Sequence, residues 1–333
     1  MTLKHPIVLT ALAALFPCAS LQAQHLLVIE KGTQSLAIVD PASGKKVASA
    51  PETGITGHEV AASPDGKYAY VPIYGNSGVG KPGTDGSEID TIDLATRQVV
   101  GTLKFTHGIR PHDPVIGPKD HLLYVTTELD KTITVIDPSN PKALKIVGTI
   151  PTGSTESHML ALSHDGKRGY TANVGPGTVS VIDIPNRKVI TTIPISKMTQ
   201  RISISNDDKY VFTSDQTKPQ LAVIDTATNK VTKWIPLPSS GYGTASTPDG
   251  RWLLVDCIPS KQVVVIDLKT LTVAHTIDVP AHPQELLVNP NNKVAYTSCD
   301  STNQVAEIDL KTWKVARLIP ISKNADGLAW ASK

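Results

Sequence analysis

The stretch "RGYTANVGPGTVSVIDIPNRKVITTIPI", Arg168 to Ile195, decides the fold. It breaks into three short runs, "RGYTANV", "TVSVIDI" and "KVITTIPI", separated by turn residues. Each run alternates β-branched or apolar residues with polar ones, which suits a pleated strand and not a helical period. Just upstream, "HMLALS" (158–163) leads into the turn "SHDG" (163–166) and supplies one more strand. A unit of about 40–45 residues with four strands is the signature of a propeller blade, a small sheet that cannot bury both faces alone.

The unit recurs. A β phrase ending in Asp appears at Asp40, Asp93, Asp137, Asp183, Asp225, Asp267 and Asp309, and the last five lie 46, 42, 42 and 42 residues apart. Turns precede most copies: "SPDG" at 63–66, "SNDD" at 205–208, "TPDG" at 247–250, "NPNN" at 289–292 and a looser "GPKD" at 117–120. The spacing predicts an all-β, seven-bladed β-propeller of four-stranded antiparallel blades. The chain begins with three strands, "HLLVIE", "SLAIVD" and "KKVASA", and ends with one, "GLAWAS". Three plus one completes the seventh blade, closes the ring and removes an open sheet edge. "YTAN" and "SVID" in the quoted stretch resemble the YVTN-repeat β-propeller family. The resemblance covers nearly all of the chain after its leader. It implies a secreted or periplasmic bacterial propeller but no particular function, because fold and function separate readily.

The first segment, "MTLKHPIVLTALAALFPCASLQAQ", reads differently. Lys4, an apolar run from Ile7 to Phe16 and small residues after it predict a cleaved secretory leader over residues 1–23, with the propeller as one domain over 24–333. Cleavage after Ser20 is an alternative; after Gln24 it would expose His25 as an N-terminal copper ligand. The run is short for a membrane span. A periplasmic or secreted protein without stable membrane insertion is therefore expected. The formal net charge is +2, without a basic stripe interleaved with aromatics, so nucleic acid is not an expected partner. Cys257 and Cys299 remain beyond the leader, at equivalent places in neighbouring blades; blades splay away from the axis, which argues against a bridge.

His58 stands five residues before its turn at Ser63, and the same offset in the following blades finds His112, His158, Gln200, Tyr242 and Gln284, with Asp326 one 42-residue step further. First strands line the central channel, so three consecutive blades place histidine at one mouth. A second row, ten residues before each repeat Asp, holds Glu30, Thr127, Asn173, Asp215, Cys257 and Cys299. In the first blade the inserted "YGNSGVGKPGTDGSE" breaks that row and predicts a loop over the same mouth.

The histidines admit two readings: polar lining of a wet channel, or a ligand set. Three neutral imidazoles with one open position suit a divalent transition metal such as Zn, Cu or Fe. Glu59 and Asp113 follow two of the histidines and are candidates for a fourth ligand, an orienting partner or a general base; strand alternation also allows them to bond a neighbouring blade instead. Arg201 is a candidate anion clamp or an inter-blade ion pair, and Tyr242 a candidate hydrogen-bond donor to substrate or a wall of the funnel. Two functions follow: metal-assisted hydrolysis or elimination on a small polar substrate, as in a lactonase or lyase, or a binding module without chemistry for a small ligand or a protein at the funnel face. A monomer is expected.

Overall fold

The computed structural model describes residues 24–332, and the expected leader lies outside them. Seven four-stranded antiparallel sheets follow one another. The first blade is Ala61–Ala62, Tyr68–Gly75, Asp85–Asp93 and Gln98–Lys104, and the second is Pro111–Ile116, Leu123–Thr127, Thr132–Asp137 and Lys145–Pro151. The third begins at Ser157–Leu162, the fourth at Thr199–Ile204, the fifth at Gly241–Ser246 and the sixth at Pro283–Val288. The seventh joins the final strand Ala325–Ala331 to His25–Glu30, Ser35–Asp40 and Lys45–Pro51, pairing His25 with Ala331 and Val28 with Leu328. This is the predicted closure.

The repeated sequence features have local causes. The Ser63 hydroxyl donates to Asp65 at 2.7 Å and accepts the Tyr68 amide at 2.9 Å, and Gly66 supplies φ +65° to finish the turn. The Ser163 turn repeats the pattern. Each repeat Asp caps the turn from third to fourth strand: Asp225 accepts the Thr228 amide at 2.8 Å and Asp309 that of Thr312 at 2.7 Å. Such Asx-type bonds fix a turn at the end of a strand.

The apolar residues of facing blades pack together. Tyr170, Val179 and Val181 of the third blade share a cluster with Val211, Ala222 and Ile224 of the fourth. No blade has a core of its own, so stability is distributed around the ring. Among the described residues no helix is long and apolar enough to cross a membrane.

The row containing Glu30 and Asn173 does not open on the mouth. These residues are buried and serve their own blades: Glu30 accepts from Ser35 and Lys46, while Asn173 bonds Ser157 and Ser180. Cys257 and Cys299 are free thiols in separate apolar clusters, buried and pushed up to about 12 by that burial. Neither thiol faces the mouth.

Candidate functional site

The register brings His58, His112 and His158 together. The His112 and His158 rings lie 3.6 Å apart between centroids at 32°, and His58 is 5.6 Å from His112, edge to face. His112 and His158 are almost fully buried. Burial pushes all three imidazoles down: His58 to about 3, His112 well below its ordinary value, and His158 also below, although Glu128 opposes the shift there. All three are neutral near pH 7. The Nδ1 atom of His112 is buried without a hydrogen-bond partner, and that of His158, outside hydrogen-bond geometry, lies 3.4 Å from Glu128 Oε2.

Tyr74 and Glu128 complete the cluster, and neither was in the predicted set. The Tyr74 ring lies 4.7 Å from His58 and 5.0 Å from His112, and its hydroxyl donates to Glu128 Oε2 at 2.6 Å. Glu128 Oε1 accepts from Arg110 at 3.1 Å. Arg110 also donates to the Gly78 and Lys81 carbonyls and, at 2.7 Å, to Asp85. The first-blade loop is thereby fastened at the mouth, where its position in the sequence predicts it. His107 remains exposed at the edge, paired with Asp130 at 2.9 Å.

One residue further along four of the first strands stand Glu59, Asp113, Arg201 and Glu285, and with Asp326 of the histidine register they form a charged layer. Arg201 reaches from the fourth blade to Glu59 of the first at 2.6 Å, to Glu285 of the sixth and to Asp326 of the seventh at 3.4 Å. These contacts cross the axis. Lys31 holds the other Asp326 oxygen at 2.8 Å. Burial raises Glu59 well above the usual carboxylate range and Glu285 to about 7, with Arg201 opposing both. Burial also works to raise Asp326, but Lys31 and Arg201 outweigh it and hold that carboxyl down.

Of the two readings of Arg201, the structure forms the inter-blade ion pair. Its guanidinium is buried among three carboxylates, with only Nε left unpartnered. Glu59 sits in that layer, and Asp113 Oδ2 accepts the Leu160 amide of the next blade at 2.7 Å. Both are buried on the far side of the histidines from the mouth, where alternation allowed them to be, and neither is placed as a ligand or as a base toward water. Tyr242 is half-buried, its ring 5.2 Å from the Arg201 guanidinium, and it remains at the mouth.

The donor types suit a transition metal, because neutral imidazoles with unpartnered nitrogens are what such an ion binds. As arranged, the His112 and His158 rings lie 3.6 Å apart and tilted by 32°. Among the described residues no group of three or more His, Cys, Asp or Glu is already set around one point for an ion.

Ring, mouth and loop define a seven-bladed propeller with a histidine cluster at one end of its axis. The chain belongs to a family described as "Lactonase, 7-bladed beta-propeller", whose model matches residues 26–237. A search of curated proteins found no match. Among solved structures, it is similar to Kuenenia stuttgartiensis hydrazine synthase, with 19% identity and TM-score 0.70 over 84% of this chain and 90% of that one. It is also similar to the dihydro-heme d1 dehydrogenase NirN in complex with DHE, with 15% identity and TM-score 0.63 over 91% of this chain and 74% of that one. At these identities the likeness is one of fold.

Proposed function

We propose that this is a periplasmic or secreted hydrolase of small lactones or related esters, of YVTN-repeat type, working at the histidine mouth with a transition-metal ion held by His58, His112 and His158. The observation that carries this is the clustering of three neutral imidazoles, with the Nδ1 of His112 buried and unpartnered and that of His158 backed by Glu128. An imidazole held down to about 3, as His58 is, makes a poor general base near neutrality but a good neutral donor. Membership of the lactonase family supports the substrate class. A bound ion would polarise the lactone carbonyl and acidify water.

The chain's own residues hold and orient. Tyr242 and Gln200, both partly exposed on the open side of the mouth, offer hydrogen bonds to a polar substrate. Arg110 keeps the Gly-rich loop against the site. Glu59, Asp113 and Arg201 support the ring from beneath.

The test is elemental analysis of protein purified without chelator, followed by pH-stat assay on γ- and δ-lactones. About one equivalent of metal is expected, together with chelator-sensitive ring opening. Full metal content in His112→Ala, or no lactone opened by metal-replete protein, would sink the proposal.

A binding module without chemistry is the second reading. Ile55, Leu129 and Met198 favour it, as exposed apolar side chains on three loops at the same end of the ring. Its signature is a melting curve indifferent to EDTA.

A further inference from the structure

Glu128 follows directly on the strand Leu123–Thr127 and is only 2% exposed. Three blades meet at its carboxylate. Oε2 accepts the Tyr74 hydroxyl of the first blade at 2.6 Å, Oε1 accepts Arg110 of the second at 3.1 Å, and His158 Nδ1 of the third lies 3.4 Å from Oε2. A guanidinium only donates and an ionised carboxylate only accepts, so the Arg110 contact fixes Glu128 as an acceptor.

That leaves one consistent state for His158. A lone pair on Nδ1 would face a carboxylate oxygen and be repelled, whereas an N–H there is attracted. A neutral imidazole carries one proton, so placing it on Nδ1 leaves Nε2 bare. We infer that Glu128 is a positioning residue that fixes His158 as its Nδ1–H tautomer and presents Nε2 as the free donor at the mouth. Carboxylates commonly orient metal-binding histidines in this way. This deepens the ligand-set reading, on which its functional use rests, but the tautomer itself can be read without metal. His112 is an internal control. It stacks on His158, and its Nδ1 meets no acceptor.

The experiment is long-range ¹H–¹⁵N correlation spectroscopy of the full chain labelled at histidine nitrogens and stripped of metal with EDTA. The His158 signals are assigned by their loss in His158→Gln. In the wild type, His158 is expected to show a protonated Nδ1 and a bare Nε2. In Glu128→Gln, whose amide can face Nδ1 with either oxygen or NH₂, the His158 signals move toward a mixture while those of His112 hold. Tyr74→Phe leaves the carboxylate and Arg110 in place and should retain the Nδ1–H form; it keeps the question answerable if Glu128→Gln does not fold. Zinc affinity measured by chelator competition should weaken about 10–100-fold in Glu128→Gln. An Nε2–H tautomer in the wild type, an unchanged tautomer in Glu128→Gln, or a flipped one in Tyr74→Phe overturns the inference. If the expected tautomer is found but the wild type binds no metal, the ligand set fails and the role of Glu128 stands.

Discussion

The Gly327 amide donates to the His58 carbonyl at 2.8 Å. The last strand of the chain is thereby fastened to the residue that opens the histidine row. A Cβ on Gly327 would lie 2.5 Å from that carbonyl oxygen and 2.6 Å from Glu59 Cα. Both are backbone atoms, so relief requires the two strands to part. Gly327→Ala should therefore lower stability by about 1–3 kcal/mol and disturb His58 with it. Deleting Gly327–Lys333, which removes most of the strand Ala325–Ala331, should abolish the cooperative transition. Calorimetry measures both, and a truncated chain that melts like the full one would show that this closure does not hold the ring.

Arg201 is expected to matter for stability rather than for binding anions. Arg201→Gln leaves Glu59 and Glu285 buried without their cation, whereas Asp326 keeps Lys31. Breaking a buried ion pair from one side costs about 3–5 kcal/mol. The loss should shrink as pH falls through about 7, the value to which burial raises Glu285 even beside Arg201, because uptake of protons by these carboxyls removes the uncompensated charge. Denaturant titrations at two pH values check this, and equal midpoints for variant and wild type at pH 7 would count against it.

Glu52, in the loop that leads into His58, predicts a pH dependence of stability. Its Oε2 accepts the Gly57 amide at 2.8 Å, while its Oε1 is buried with no partner. Burial pushes this carboxyl up to about 7 from 4.5; Asp90 adds to the shift and the Gly57 amide opposes it. The folded state thus binds the proton more tightly than the unfolded one. The contribution to stability is complete below the unfolded value and is lost as pH rises through about 7. Glu52→Gln keeps an acceptor for Gly57 but cannot ionise. Its melting temperature should fall less than that of the wild type between about pH 6 and 8, as scanning fluorimetry would show; parallel curves would contradict the assignment.

Metal should raise the melting temperature of EDTA-stripped protein. An ion binding only the folded chain at 100 times its Kd stabilises it by about 2.7 kcal/mol. The gain should disappear in His112→Ala and His158→Ala and persist in His107→Ala, since His107 lies exposed at the edge against Asp130. A gain that survives loss of His112 would place the ion elsewhere.

Strands, blade count and closure were legible because they follow from local alternation and from a period that repeats along the chain. The histidine row was legible for the same reason, since equal blade lengths convert a sequence offset into a position around the axis. Tyr74 and Glu128 were harder to see. They share a register one residue beyond the row containing Glu30 and Thr127, together with Lys31. That row points into the blades, and the next residue along each strand turns to the mouth. Counting back from the repeat Asp misses Tyr74 because of the first-blade insertion, but counting eleven residues on from the turns at Ser63 and Gly117 finds both. Which acids meet Arg201 was not legible, because the contacts cross the ring between blades distant in sequence, and a periodic pattern records neighbours rather than opposites.

Arg201 spans the axis to reach acids of the opposite blades, and this gives the ring a front and a back. A molecule that arrives among the histidines faces these ion pairs behind them. If the proposed hydrolysis takes place there, substrate and product share one doorway, beneath the loop that Arg110 clasps. Turnover at such a site has a ceiling set by how quickly that doorway clears.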